Sequence, residues 1–122
     1  MIYIASALPN RDLVRRLAAS MREPVVSSWH DTDATIELEQ SLTLEAQARI
    51  ARRCLSEIDR ATSLYWVTGN TRGRCGAAFE AGFAIGRGLP VVVQPAIAGE
   101  PVPTILIYGA PGVTILPWAP WR

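Results

Sequence analysis

Ser63-Leu64-Tyr65-Trp66-Val67-Thr68 is a short run rich in aromatic and branched residues. A small, polar stretch from Gly69 to Gly73 follows it. Next comes a segment from about Cys75 to Gly86 that is apolar almost all round, then Leu89-Pro90-Val91-Val92-Val93. Strand, loop, helix and strand in that order read as one β-α-β unit. The closing strand shows no polar alternation. That is the pattern of a strand covered on both faces, as in a parallel sheet. A helix apolar on every side is expected to be buried on most of them.

The same alternation continues outward. Ile2-Tyr3-Ile4-Ala5-Ser6 reads as an opening strand, and Asn10 after Pro9 suits a helix N-cap. Leu13, Val14, Leu17, Ala18 and Met21 recur at helical spacing, with Arg11, Asp12, Arg15, Arg16 and Arg22 opposite. Pro24 ends that helix, and Val25-Val26-Ser27-Ser28-Trp29 reads as a second strand. The acidic segment His30 to Gln40 reads as a loop. A helix from about Leu42 to Ala61 presents Ala48, Ala51, Cys54, Leu55 and Ile58 on its apolar face, and Arg49, Arg52, Arg53 and Glu57 on its polar face. Beyond a Pro- and Gly-rich stretch, Ile105-Leu106-Ile107-Tyr108 fits a strand or a short helix, and Val113-Thr114-Ile115-Leu116 a last strand. The expectation is a single domain over residues 1–122. Its fold class is α/β: a Rossmann-like or flavodoxin-like open, mostly parallel five-stranded sheet with helices on both faces. Ligands of such sheets bind at the carboxyl ends of the strands. That places a site at Ser6 to Arg11, at Trp29-His30 and at Gly69 to Gly76.

Composition narrows the function. With 49% hydrophobic and 19% charged residues, the chain has the make-up of a folded domain rather than a disordered one. A formal net charge of +1 gives no field for a nucleic acid polymer. No apolar run approaches the roughly 18 residues of a membrane span, and no leader pattern is seen. All 12 basic residues are Arg. Schiff-base and Walker-type lysine chemistry are thereby excluded. The 2 cysteines, Cys54 and Cys75, lie in different helices, and the chain has 1 histidine. No metal or cofactor is expected, and the setting suggested is a reducing cytoplasm.

Glu80 is the one charge between Cys75 and Gly86. A carboxylate in such a helix is costly to ionise without a partner, which makes it a candidate for chemistry; the plainer reading is a core acid satisfied by an Arg or by backbone donors. The loop Thr68-Gly69-Asn70-Thr71-Arg72-Gly73-Arg74-Cys75-Gly76 leads into the helix N-terminus. Free amides there, with Arg72 or Arg74 as a fork, suit a phosphate; the plainer reading is an ordinary loop with solvated arginines. His30 is placed to protonate a leaving group or to be a loop residue without a role. Trp29 is placed to stack on a base or to fill the core.

Gly76-Ala77-Ala78-Phe79-Glu80-Ala81-Gly82-Phe83-Ala84, followed by Gly88-Leu89-Pro90-Val91-Val92-Val93, resembles the nucleoside 2-deoxyribosyltransferase-like superfamily. That superfamily includes 2′-deoxynucleoside 5′-phosphate N-hydrolases and small phage-type proteins. Its motif is G-x-x-x-E-x-G-x-A before an apolar strand. Ile2-Tyr3-Ile4-Ala5-Ser6 matches the family's opening strand, and Trp29 fits the phage-type branch. The resemblance covers roughly residues 1 to 95. It implies that Glu80 attacks the anomeric carbon of a (deoxy)nucleoside or nucleoside 5′-monophosphate, forming a glycosyl ester that passes to water or to another base. It implies a sugar or phosphate contact at Ser6 and a phosphate contact at Arg74. Arg11 points into the same region as Ser6, the plainer reading of the two being a turn serine and a solvated arginine; the loop adds Asn70, Arg72 and Gly76 as substrate contacts, and a homodimer or higher homo-oligomer is expected. In the transferase branch the C-terminal residues complete a neighbour's site, a role open to Trp118, Trp121 and the carboxylate of Arg122; the other reading is a tail packed on its own subunit.

Two positions depart from the family pattern. Cys54 stands where an Asp is usual in the second helix, with Glu57 or Asp59 as nearby substitutes. Arg74 stands where the transferases have an Asp and the nucleotide hydrolases a phosphate contact. Two other readings therefore accompany N-glycoside chemistry: a nucleotide-binding module without turnover, and a phage accessory or interaction protein that keeps only the fold.

Overall fold

A computed structural model describes residues 1–31, 43–69, 76–99 and 109–118. Four strands run parallel in chain order: β1 (Ile2–Ser6), β2 (Ser63–Thr68), β3 (Val91–Pro95) and β4 (Val113–Ile115). Between them lie α1 (Arg11–Ser20), α2 (Leu44–Arg60) and α3 (Gly76–Gly86). The α/β class, the parallel sheet and the flanking helices agree with the expectation from sequence. The anticipated segments at Leu42, Asn70 to Cys75, Ile105 to Tyr108 and Trp121 to Arg122 lie outside the described residues.

Period-two alternation divides the strands between two cores. Tyr3, Ala5, Leu64, Trp66, Val91 and Val93 meet Ile58 and Ala61 beneath α2, and Ala77, Ala81 and Ala84 of α3. On the other face Ile4 and Val67 meet Val14, with Leu13, Leu17, Ala18 and Met21 around it. α1 covers one face; α2 and α3 pack side by side against the other. The three buried alanines let α3 sit close to the sheet.

The termini follow from local chemistry. Thr43 caps α2, its Oγ1 accepting from the Ala46 N–H at 3.1 Å. α3 closes with Gly88 N–H on the Ile85 carbonyl and Leu89 N–H on the Ala84 carbonyl, both at 3.0 Å. That closure puts Gly88 at φ +78°, a conformation open to glycine. Asn10 behaves otherwise than expected: it precedes α1 but its side chain does not cap it. The amide is used elsewhere, as described below.

The sheet has four described strands rather than five. The expected strand Val25–Trp29 reduces to a single bridge, Ile2 to Val25, and Trp29–Asp31 forms a 3-10 turn. The reason lies in the side chains. Ile2 N–H donates to the Pro24 carbonyl at 2.9 Å, and Val26 N–H to the Ile2 carbonyl at 2.8 Å. One pair further along, side chains take over. Ile4 N–H donates to Ser27 Oγ at 3.1 Å, and Trp29 Nε1–H to the Ile4 carbonyl at 2.6 Å. Once the Ile4 groups are satisfied in this way, the backbone is released to turn.

Two burial expectations also need correction. α3 is not covered on most sides: Ala78, Phe79 and Gly82 are exposed, Phe79 at 64%. Among the described residues the sheet and α2 pack on it, and that stripe stays outside their contact. Glu57, expected on the polar face of α2, is 5% exposed. Ser28 holds it there, as shown below.

Ser27→Ala should remove the acceptor for a buried N–H and cost about 1–3 kcal/mol, the usual penalty for an orphaned donor. Urea unfolding should show a lower midpoint at an unchanged m-value.

Candidate functional site

The lone acid of α3 has a partner. The Tyr3 hydroxyl donates to Glu80 Oε2. Tyr3 is fully buried on the middle of β1, and Glu80 is half-buried in the second turn of α3. A buried phenol needs a polar partner, and so does a carboxylate in an apolar helix; each answers the other. Burial pushes the Tyr3 phenol far above its ordinary range, and the Glu80 carboxylate beside it pushes the same way. Tyr3 therefore stays protonated and acts as a donor. Glu80 Oε1 lies 3.7 Å from the point a Cβ on Gly76 would occupy. Gly76 is exposed and opens α3, so this position puts no side-chain atom in front of that oxygen.

Cys54 joins this pair from α2, half-buried against the same core. Burial raises its thiol above the ordinary value, outweighing the lowering effect of a hydrogen bond with Tyr3. The thiol is held protonated, the opposite of what a nucleophilic cysteine requires. The two acids near it on α2 are otherwise engaged. Glu57 accepts from Ser28 N–H at 3.2 Å and from Ser28 Oγ–H at 2.7 Å. Asp59 pairs with Arg87 at 2.8 Å.

A second group gathers at the carboxyl ends of β1 and β2. Asn10 Nδ2 donates to Ser6 Oγ and to the Gly69 carbonyl, both at 2.9 Å. Ser6 Oγ–H donates to the Val67 carbonyl at 2.7 Å. Gly69 has φ +108°, which only glycine adopts readily. Arg11, half-buried, starts α1 directly beside Asn10. Ser6 is thus tied to Asn10, the residue before Arg11, with the Ser6 hydroxyl engaged in tying the strand ends.

Trp29 and His30 form a third group, on the outer side of β1. The Trp29 ring is half-buried against both cores and meets the His30 ring edge-on at 5.5 Å. His30 is 3% exposed. Its Nε2 lies 3.1 Å from Ser27 Oγ, and its Nδ1 lies 3.4 Å from Asp31 Oδ1. Arg15 Nε–H donates to the His30 carbonyl and fixes the turn to α1. The Ser–His–Asp connectivity is not a hydrolytic triad: Ser27 is 4% exposed and its oxygen accepts from Ile4 N–H.

Asn70, Arg72 and Arg74 lie outside the described residues, as do Trp121 and Arg122. Trp118, 42% exposed, donates from Nε1 to the Ala96 carbonyl of its own chain at 3.3 Å. Among the described residues no cluster of His, Cys, Asp and Glu is arranged to hold a metal ion, and no helix is long and apolar enough to cross a membrane.

Three residues carry more of the site than their sequence positions suggested. Tyr3 reads as one more strand residue. Its signal is a phenol in an aliphatic strand facing a helix with one acid. Glu57 and Asn10 read as a surface acid and a helix cap, and only the packed chain shows what they bind. No known protein family, curated protein or solved structure matches this chain.

The shifts at Tyr3, Cys54 and Tyr65 have one sign, and burial is the leading cause of each. A group whose proton is held more tightly in the folded chain contributes stability below its ordinary pKa and loses it above. Melting temperature should therefore fall as pH rises past the ordinary thiol value of 9.0 and then the phenol value of 10.0. Tyr3→Phe should flatten the second part of that fall in a pH series of thermal melts.

Proposed function

We propose that this chain cleaves or exchanges the N-glycosidic bond of a nucleoside or nucleoside 5′-monophosphate, with Glu80 as nucleophile. The observation that carries the reading is the Glu80 carboxylate itself. It is held at Oε2 by a phenol that stays protonated, on a helix whose first residue is a glycine beside Oε1. An attack on C1′ forms a carbon–oxygen bond to Oε1 as the C1′–N bond breaks, and the base leaves with the bonding pair. The anion also stabilises the positive charge that builds on the sugar ring. Water or a second base then takes the sugar from the ester. Tyr3 orients the carboxylate and lets a charge persist among the alanines of α3. The resemblance to the nucleoside 2-deoxyribosyltransferase-like superfamily supports the same role for Glu80. It also supports Ser6 and Arg74 as contacts for sugar or phosphate, and the strand-end placement of Arg11, Asn70 and Arg72 in the sequence supports the same use of them.

A second reading has its own support. The thiol of Cys54 is held protonated, Glu57 is occupied by Ser28, and Asp59 by Arg87. No carboxyl of α2 is then placed to give a proton to a departing base. A nucleotide-binding module that does not turn over would look like this.

Incubation with a panel of ribo- and 2′-deoxyribonucleosides and their monophosphates separates the two readings. On the first, free base appears by chromatography, and Glu80→Gln lowers the rate by at least about a thousandfold while the protein stays folded, because no nucleophile remains. Gly76→Val should crowd Oε1 and raise KM without disturbing the Tyr3 bond. Thermal stabilisation by a nucleotide with no base released identifies the second reading. Neither signal removes both.

A further inference from the structure

A neutral nucleobase leaves C1′ with the bonding pair, and so departs as an anion unless a proton reaches it. The described groups able to carry that proton are committed elsewhere. The Tyr3 hydroxyl donates its one proton to Glu80 Oε2. Burial, with the carboxylate beside it, keeps that proton on the phenol. Burial also keeps Cys54 a thiol, against the lowering effects of Tyr3 and Arg53, while Glu80 and Glu57 act in the same sense as burial. Glu57, 5% exposed, accepts from Ser28 at both oxygens, as a carboxylate does. Asp59 is paired with Arg87 at 2.8 Å. The one histidine, His30, is buried on the outer side of β1 against Ser27 and Asp31. Glu80 itself must be an anion to attack. Among the described residues, then, the chemistry at Glu80 has a negative charge to offer and no proton.

We infer that the base of the nucleoside is already a cation, joined to C1′ through a pyridinium or 7-alkylpurinium ring. This rests on the reading of Glu80 as nucleophile and narrows it to one class of substrate. The step balances without an acid. Glu80 Oε1 forms its bond to C1′ as the C1′–N bond breaks, and the bonding pair cancels the charge on the ring. The base leaves neutral. Water then adds at C1′ as the ester bond breaks, the carboxylate returns, and one proton passes to solvent. Charge selects the same class before any bond changes, since a carboxylate attracts a cationic ring and not a neutral one.

The test uses the full chain with nicotinamide riboside and 7-methylguanosine as cations, uridine and guanosine as neutral counterparts, and the 5′-monophosphate of each. Every rate is divided by the rate of the same compound in buffer, which removes the greater lability of the cations. The corrected kcat/KM of at least one cation should exceed that of the neutral compounds by about a hundredfold or more, the contribution expected of a general acid that neutral bases lack here. Which cation is cleaved tells pyridinium from purinium. Release of nicotinamide should not fall on the alkaline side of neutrality, because no donor has to keep a proton. A smaller ratio, or a rate that falls there, overturns the inference and leaves Glu80-dependent base release standing. Release that persists in Glu80→Gln removes the nucleophile and this inference with it. Where no compound releases base, a thermal-shift titration decides. Stabilisation by nicotinamide riboside that exceeds that by its neutral dihydro form, and is lost in Glu80→Gln, upholds the cationic class without turnover; equal or absent stabilisation overturns it.

Discussion

A carboxylate inside an apolar helix has to be met, and in this protein one phenol meets it. The Tyr3 hydroxyl gives Glu80 a buried donor beside the alanines packed onto the sheet. A carboxylate taken into such apolar surroundings without donors would cost several kilocalories per mole or take up a proton. With that donor, α3 can lie flat on β1 and β2 while keeping its one ionisable group. The bond also fixes how α3 is turned, since rotating the helix would pull Glu80 off Tyr3 and push Phe79 or Ala78 toward the strands. Packing and polar chemistry thus specify the same orientation.

The parts of the fold legible in the sequence were those with strong periodicity. β2, α3 and β3 appeared within a residue or two of their places because an apolar run of strand length, a loop and an apolar helix admit few arrangements. Val25–Trp29 read as a strand because its residues are strand-like, yet Ser27 and Trp29 use their side chains on Ile4 and end the ladder. Whether a side chain bonds to its neighbour's backbone is a three-dimensional fact that propensity does not carry. Glu57 was misplaced for a similar reason. Helical spacing put it among arginines, and Ser28, 29 residues away, drew it inside.

The candidate site was legible in its centre and illegible at its edges. Glu80 stood out because charge is scarce around it. Tyr3 and Asn10 did not, because each is an ordinary residue for a strand or a turn. Their significance comes from what lies opposite: an acid for Tyr3, the ends of two strands for Asn10. His30 shows the reverse. A lone histidine invites a role in proton transfer, and the folded chain packs it beneath a turn against Ser27 and Asp31.

The outer margin of β1 has one more consequence. Its amides and carbonyls at Ile2 and Ile4 are all engaged, two by the Pro24–Val26 backbone and two by Ser27 and Trp29. A foreign strand arriving there finds no ladder to join. The chain is in this way protected on that flank from the edge-to-edge stacking that seeds fibrils.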